Sequence, residues 1–229
     1  MKMLSKYFKK REIVIWSVSV IAVAAAFFLF DGCNYLNLAA SLIGVTSLIL
    51  SAKGNFIGLI LMIAFSLIYG YISYTCSYYG EMVTYVGMTM PMSVAALASW
   101  LKNPNGDNKT EVKISSISRK DCAVMIVLAI AVTVLFYFVL DFFNTANLIP
   151  STVSVTTSFL AVYLSYKRSP FFALAYAFND IILIVLWVLA SFENSEYISV
   201  MVCFVAFFAN DIYGFINWRM MRKRQLMQN

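Results

Sequence analysis

CAVMIVLAIAVTVLFYFVL, Cys122 to Leu140, runs without a charge between Arg119, Lys120 and Asp121 on one side and Asp141 on the other. About 20 predominantly apolar residues, at 1.5 Å rise each, cross the roughly 30 Å hydrocarbon core of a bilayer. This stretch therefore reads as a transmembrane helix, and the chain around it repeats the pattern. Apolar runs fall at 13–30, 35–51, 56–76, 82–100, 122–140, 151–166, 171–190 and 197–217. The runs 35–51 and 151–166 are the shortest and are rich in Ser and Thr. Of all 229 residues, 62% are apolar and 12% charged; a water-exposed surface needs about twice as many charges. Eight spans leave no room for a soluble domain beside them.

The charges set the topology. Alternate loops carry Lys2, Lys6, Lys9, Lys10 and Arg11; Lys53; Lys102, Lys109, Lys113, Arg119 and Lys120; Lys167 and Arg168; and Arg219, Arg222, Lys223 and Arg224. The other loops carry Asp31, Glu81, Asp141, Glu193 and Glu196. A wrong span count would scramble this segregation, and basic loops stay in the cytoplasm. The expectation is an all-α, multi-pass protein of the plasma (bacterial inner) membrane with about eight helices and both termini cytoplasmic. The polar loop Lys102–Asp121, with its Asn-Pro-Asn-Gly turn signal, reads as a mobile linker. Pro91 should kink the fourth span, and Trp16, Trp100 and Trp218 should anchor it and its neighbours in the interfacial belt.

Several functions are excluded or weakened. The net charge of +6 belongs to the loops, so it does not point to nucleic acid. With no histidine in the chain, a Ser-His-Asp triad or a His-bound zinc cannot be built, and an intramembrane enzyme has no nucleophile–base spacing to use. No G-x-x-x-x-G-K-[ST] loop occurs, so this chain does not hydrolyse ATP. Cys33, Cys76, Cys122 and Cys203 lack paired metal-ligand spacing and read as packing residues; a Cys33–Cys76 disulfide is compatible with their shared outer side. The first apolar run lacks a small-x-small exit, so no cleaved leader is expected. Neither a metal nor a cofactor is expected.

The two halves resemble each other. Asp31-Gly-Cys-Asn34-Tyr-Leu-Asn37 matches Asp141-Phe-Phe-Asn144-Thr-Ala-Asn147; Lys53-Gly-Asn55-Phe56 lies opposite Arg168-Ser-Pro170-Phe171; Glu81 corresponds to Glu196, and Trp100 to Trp218. An even number of crossings separates matched positions, so the copies share one orientation. Parallel repeats of this kind occur in small SWEET-type transporters, whose substrate sits between the halves near the midplane.

Within the last two spans lie Asn179-Asp180 and Asn210-Asp211. An aspartate near the midplane costs roughly 2.5–3.5 kcal/mol on the insertion scale, so these pairs need a reason. Either they line a wet cavity and bind a polar substrate, or they are glue between helices. Tyr176, Asp180 and Trp187 share one helical face, and Asn210, Gly214 and Asn217 another. Carboxylate, amide and aromatic groups together suit a flat heterocycle joined to a polyol. Stripes on the second, third and sixth spans, including Gly44, Gly58, Ser66, Tyr69 and Ser154, read as close helix packing.

The closing stretch Asn210-Asp211-Ile-Tyr213-Gly214-Phe-Ile-Asn217-Trp218, with Gly58 through Tyr69 and Tyr79-Gly80-Glu81, resembles the signature of the PnuC vitamin transporters over about Leu36 to Arg222. The resemblance implies a three-plus-one-plus-three helix plan, a homotrimer, and facilitated diffusion of nicotinamide riboside followed by trapping through phosphorylation. Relatives that carry thiamine, riboflavin or deoxynucleosides are the alternatives. On that plan the chain divides into an N-terminal extra helix (1–34), a first bundle (35–101), a loop and linker helix (102–148), a second bundle (149–218) and a basic tail (219–229). The family's Gly-Trp-x-x-Trp survives as Gly214 and Trp218, with Phe215 in place of the first Trp, which bears on which substrate is carried. The expected binding residues are Asn179, Asp180, Asn210, Asp211, Tyr213, Asn217, Trp187, Tyr69 and Tyr176. Proton coupling through Asp180 or Asp211, and a capture subunit served by a separate ATPase, remain open.

Overall fold

The computed structural model describes residues 7–75, 79–106, 108–145 and 147–228. Cys76 lies outside them, and with it the Cys33–Cys76 pairing. Among the described residues eight helices are long and apolar enough to cross a membrane: α1 Lys10–Asp31, α2 Tyr35–Ala52, α3 Ile57–Thr75, α4 Tyr79–Lys102, α5 Arg119–Phe142, α6 Leu148–Tyr166, α7 Phe171–Ser191 and α8 Tyr197–Gln228. They match the eight apolar runs. Their connections place Asp31, Glu81, Asp141, Glu193 and Glu196 toward one end, the acidic end, and the described basic residues at the other.

The repeated D-x-x-N-x-x-N motif is a turn-and-cap device. Asp31 accepts from the Asn34 backbone N–H and from Asn37 Nδ2, and Asn34 accepts from the Asn37 N–H at 3.3 Å as the N-cap of α2. Such caps satisfy the free N–H groups of a helix start. In the second copy Asn144 and Asn147 both adopt left-handed backbone (φ 51° and 53°), a conformation Asn tolerates better than most residues.

Helix packing closes a ring. α2 packs on α3, α3 on α4, α4 on α6, α6 on α7, α7 on α8, and α8 back on α2. Outside it, α1 covers the α8–α2 seam and α5 covers α6 beside α4. Small residues permit the close approaches. A Cβ added at Gly58 would come closer than 3.0 Å to Ser51 and to the Ser47 carbonyl, and one at Gly44 would meet the Phe207 ring. Ser47 Oγ donates to the Gly58 carbonyl at 2.7 Å across the same contact.

Pro91 does disturb α4, through a change of helical pitch. The segment Val83–Thr89 just before it is π-helical, the local widening that absorbs an interrupted hydrogen-bond ladder.

Three expectations are corrected. Trp100 and Trp218 are not interfacial anchors: they are 2% and 0% exposed, with rings 5.2 Å apart at the basic end. Trp100 Nε1 donates to the Ser165 carbonyl at 2.9 Å, and Trp218 Nε1 to the Ser51 carbonyl at 2.8 Å. Each indole from the last helix of one half thus caps the end of the first ring helix of the other. The loop after α4 is no free linker. Pro104–Asn105 and Asn108–Val112 pair as antiparallel strands, and Glu111 bridges to Asn55. The supposed tail continues α8, where Gln225 bonds the Ile114 N–H and the Val112 carbonyl and Arg224 pairs with Glu111 at 2.5 Å. A polar segment over a bundle end still has backbone groups to satisfy, and here the hairpin and the helical tail satisfy each other.

Candidate functional site

A vestibule opens at the acidic end, between the halves. One lobe, of about 110 Å³, lies among Asp31, Asn37, Tyr69, Glu81, Trp187 and Tyr197. A larger lobe, of about 460 Å³, lies among Glu81, Asn144, Asn147, Ser151, Trp187 and Glu193. Each lobe borders one copy of the repeated asparagine motif, and Glu81 and Trp187 line both. The charged side chains lining them are Asp31, Glu81, Glu196 and Glu193, with neither Lys nor Arg among the lining residues.

The wall between the lobes is aromatic. Tyr69 of α3 hydrogen-bonds the Glu81 carboxyl from α4. The Tyr69 ring lies 4.6 Å from Tyr85 and stacks on Phe65 at 5.5 Å. Trp187 of α7 packs on Tyr197 of α8 at 5.3 Å, is 7% exposed, and its indole N–H has no partner among the described residues. An orphaned buried donor is uncommon in folded proteins. Here it sits in a side chain that borders both cavities.

Deeper in the ring the Asp180 and Asp211 carboxyl groups meet across the α7–α8 contact, with Tyr176 beside both. Asp180 is 3% and Asp211 4% exposed, and Asp180 Oδ2 has no hydrogen-bond partner among the described residues.

The structure divides the nine residues singled out in the sequence. Tyr69 and Trp187 border the vestibule, and Tyr176, Asp180 and Asp211 form the buried cluster of the α7–α8 contact. Asn179 turns toward α6, where its Oδ1 accepts from Ser154 (3.1 Å) and Thr157 (2.9 Å). Asn210 faces out of the ring toward α1, donating to Ser19 Oγ at 2.9 Å and to the Ala206 carbonyl at 2.7 Å. Tyr213 and Asn217 lie near the basic end. Tyr213 donates to Glu12 at 2.8 Å and Asn217 to the Ala52 carbonyl at 2.8 Å. Glu12 is fully buried and also pairs with Lys53 at 2.9 Å. These three residues fasten α1, α2 and α8 together.

Glu81, Tyr85, Asn37 and Tyr197 border or back the vestibule without having been singled out as binding residues. In the sequence Glu81 served as a marker of the acidic side, as the counterpart of Glu196 and as part of the family stretch, but not as a binding residue. The signal that could have found it is its place in Tyr79-Gly80-Glu81, inside a stretch helical enough to continue α4 outward.

A family model described as "Nicotinamide mononucleotide transporter" matches residues 34–220. The chain is 24% identical over 235 residues to a protein of Neisseria mucosa named "Nicotinamide riboside transporter PnuC", covering 97% of this chain and 89% of that one. It is also similar to a solved structure titled "Crystal structure of the Vitamin B3 transporter PnuC", with a TM-score of 0.81, 23% identity, and coverage of 95% of this chain and 94% of that chain.

Proposed function

Because the chain belongs to the nicotinamide mononucleotide transporter family, we propose that it imports a nicotinamide nucleoside, nicotinamide riboside, across the cell membrane. The observation that carries this reading is the chemistry of the vestibule. Carboxylates and aromatic faces line it, and among the described residues no basic side chain does. A pyridinium cation is attracted by both kinds of group. A phosphate would meet several carboxylates with no cation to offset them, which favours the riboside over the mononucleotide. Asparagines of both repeated motifs stand by to bond ribose hydroxyls and carboxamide.

On this reading the basic end, with both termini, faces the cytoplasm, and the vestibule opens outward. Tyr69 and Trp187 contact substrate at entry, and Tyr176, Asp180 and Asp211 line the path beyond. Helices α2–α4 and α6–α8 form the two triplets of a SWEET-like three-plus-one-plus-three plan, linked by α5, with α1 as the N-terminal addition. The reciprocal Trp100–Ser165 and Trp218–Ser51 bonds support that symmetry. The protein works as a homo-oligomer, a trimer, and moves substrate by facilitated diffusion with trapping by phosphorylation inside.

The test is titration calorimetry on the purified full chain with nicotinamide riboside and nicotinamide mononucleotide. Binding of the riboside at least tenfold tighter is expected; equal or tighter binding of the mononucleotide would overturn the assignment. The Asp180–Asp211 contact favours one second reading, proton-coupled transport. Uptake into liposomes above the outside concentration, driven by a pH gradient alone, would establish it.

A further inference from the structure

We propose that Glu81 reads the charge of the base, so that the vestibule takes a pyridinium nucleoside and discriminates against its uncharged, reduced counterpart. This rests on the vestibule being the substrate site. The oxidised and reduced bases share the carboxamide and the ribose and differ by one hydride, so neither shape nor hydrogen bonding separates them well. A fixed charge does.

Four observations place that charge at Glu81. It alone among the acids borders both lobes, so a ligand in either meets it. Asp31 is committed to capping, through the Asn34 N–H and Asn37 Nδ2, and Glu193 and Glu196 are exposed in the α7–α8 turn, where water and salt screen their charge. Glu81 is bonded instead by the Tyr69 phenol. One phenol donates one hydrogen bond, which leaves most of the acceptor capacity of a carboxylate for a ligand. The surfaces beside it are the Trp187 and Tyr69 rings, whose π-faces favour a cation over a neutral ring. A Lys or Arg lining the vestibule would cancel this selectivity, and none of the described lining residues is one.

The experiment measures binding of nicotinamide riboside and of its 1,4-dihydro form to the full-length protein in lipid nanodiscs, for the wild type and for Glu81→Gln. The amide keeps the size of the side chain and can still accept from Tyr69, so only the charge is lost. The wild type should bind the pyridinium form about tenfold or more tighter than the reduced form, as a charge-assisted contact exceeds a neutral one. In Glu81→Gln the pyridinium affinity should fall about tenfold while the affinity for the reduced form stays within twofold. Equal affinity of the wild type for the two forms overturns the proposal without any variant, and leaves the substrate site standing. So does a Glu81→Gln protein that keeps the preference, or one that loses both ligands equally at an unchanged melting temperature. A wild type that binds neither form removes the substrate reading itself.

Discussion

Asn179 and Asn210 look equivalent in the sequence, each preceding an aspartate on neighbouring spans, yet their amides face opposite sides of the ring. Asn210 commits its Nδ2 to Ser19 and its own helix, with Oδ1 buried and unpartnered among the described residues, whereas Trp187, about four turns outward on α7 from the basic end's Phe172 layer, stands at a cavity with its N–H unpartnered among them. Asn210→Ala should therefore lower the melting temperature, by about 1 kcal/mol of stability for interhelical bonds in a membrane, and leave substrate affinity unchanged. Trp187→Ala should do the reverse, weakening binding at least tenfold; thermal-shift and calorimetric titrations on both variants decide it. Glu12 supplies a second contrast. Lys53→Met strands a fully buried carboxylate and should cost about 3 kcal/mol or more, while Glu12→Gln leaves Lys53, still 12% exposed, a route to water and should cost less. Denaturation of the two purified variants, followed side by side, checks the order.

At the scale of elements, the close contact of α2 and α3 is governed by one missing methyl. Gly58 lets Ser47 reach across to its carbonyl, and overpacking such a contact typically costs 1–3 kcal/mol. Gly58→Ala should therefore destabilise the protein by about 2 kcal/mol and lower its yield in membranes, whereas Gly87, with Val83 at an ordinary 3.6 Å from an added Cβ, should accept alanine nearly without loss. The helix ends at the basic face show how local signals and docking combine. Lys167 sits at 2.7 Å from Asp121 across the α5–α6 contact, and this carboxylate holds its ammonium above the ordinary lysine value. Ser118 and Asp121 meanwhile cap the start of α5 reciprocally, a capping box that fixes where that span begins.

For the whole molecule, the vestibule at one end and the sealed indole layer at the other describe a pore open on a single side. Trp100, Trp218 and Phe172 fill the ring at the basic end, with the hairpin and the α8 extension beyond them. Reporters fused after Asn105 and at the C-terminus should both read cytoplasmic, because each lies in a basic segment; an external signal at the hairpin would reverse the direction assigned to the vestibule. Uptake of radiolabelled nicotinamide riboside into liposomes should reach the outside concentration and stop there, unaffected by an imposed proton gradient.

By itself the sequence determined the number of helices and their alternation, because a bilayer demands long uncharged runs and sorts basic loops to one side. Those demands act on each segment separately, so they are legible without knowing what touches what. It also put Tyr69 and Trp187 among the expected binding residues, and both border the vestibule. Which way a buried polar group turns is a different matter. Asn210 toward α1, Asn179 toward α6 and Glu81 toward the cavity are outcomes of which neighbour offers a donor or acceptor across the ring. The tryptophans show the same limit: an indole near a membrane boundary suits the interface and a helix crossing equally well, until the carbonyls of Ser51 and Ser165 are brought within reach. Only the packed ring decided these partners, since each hydrogen bond depends on residues more than a hundred positions away or on a helix whose rotation no local pattern records.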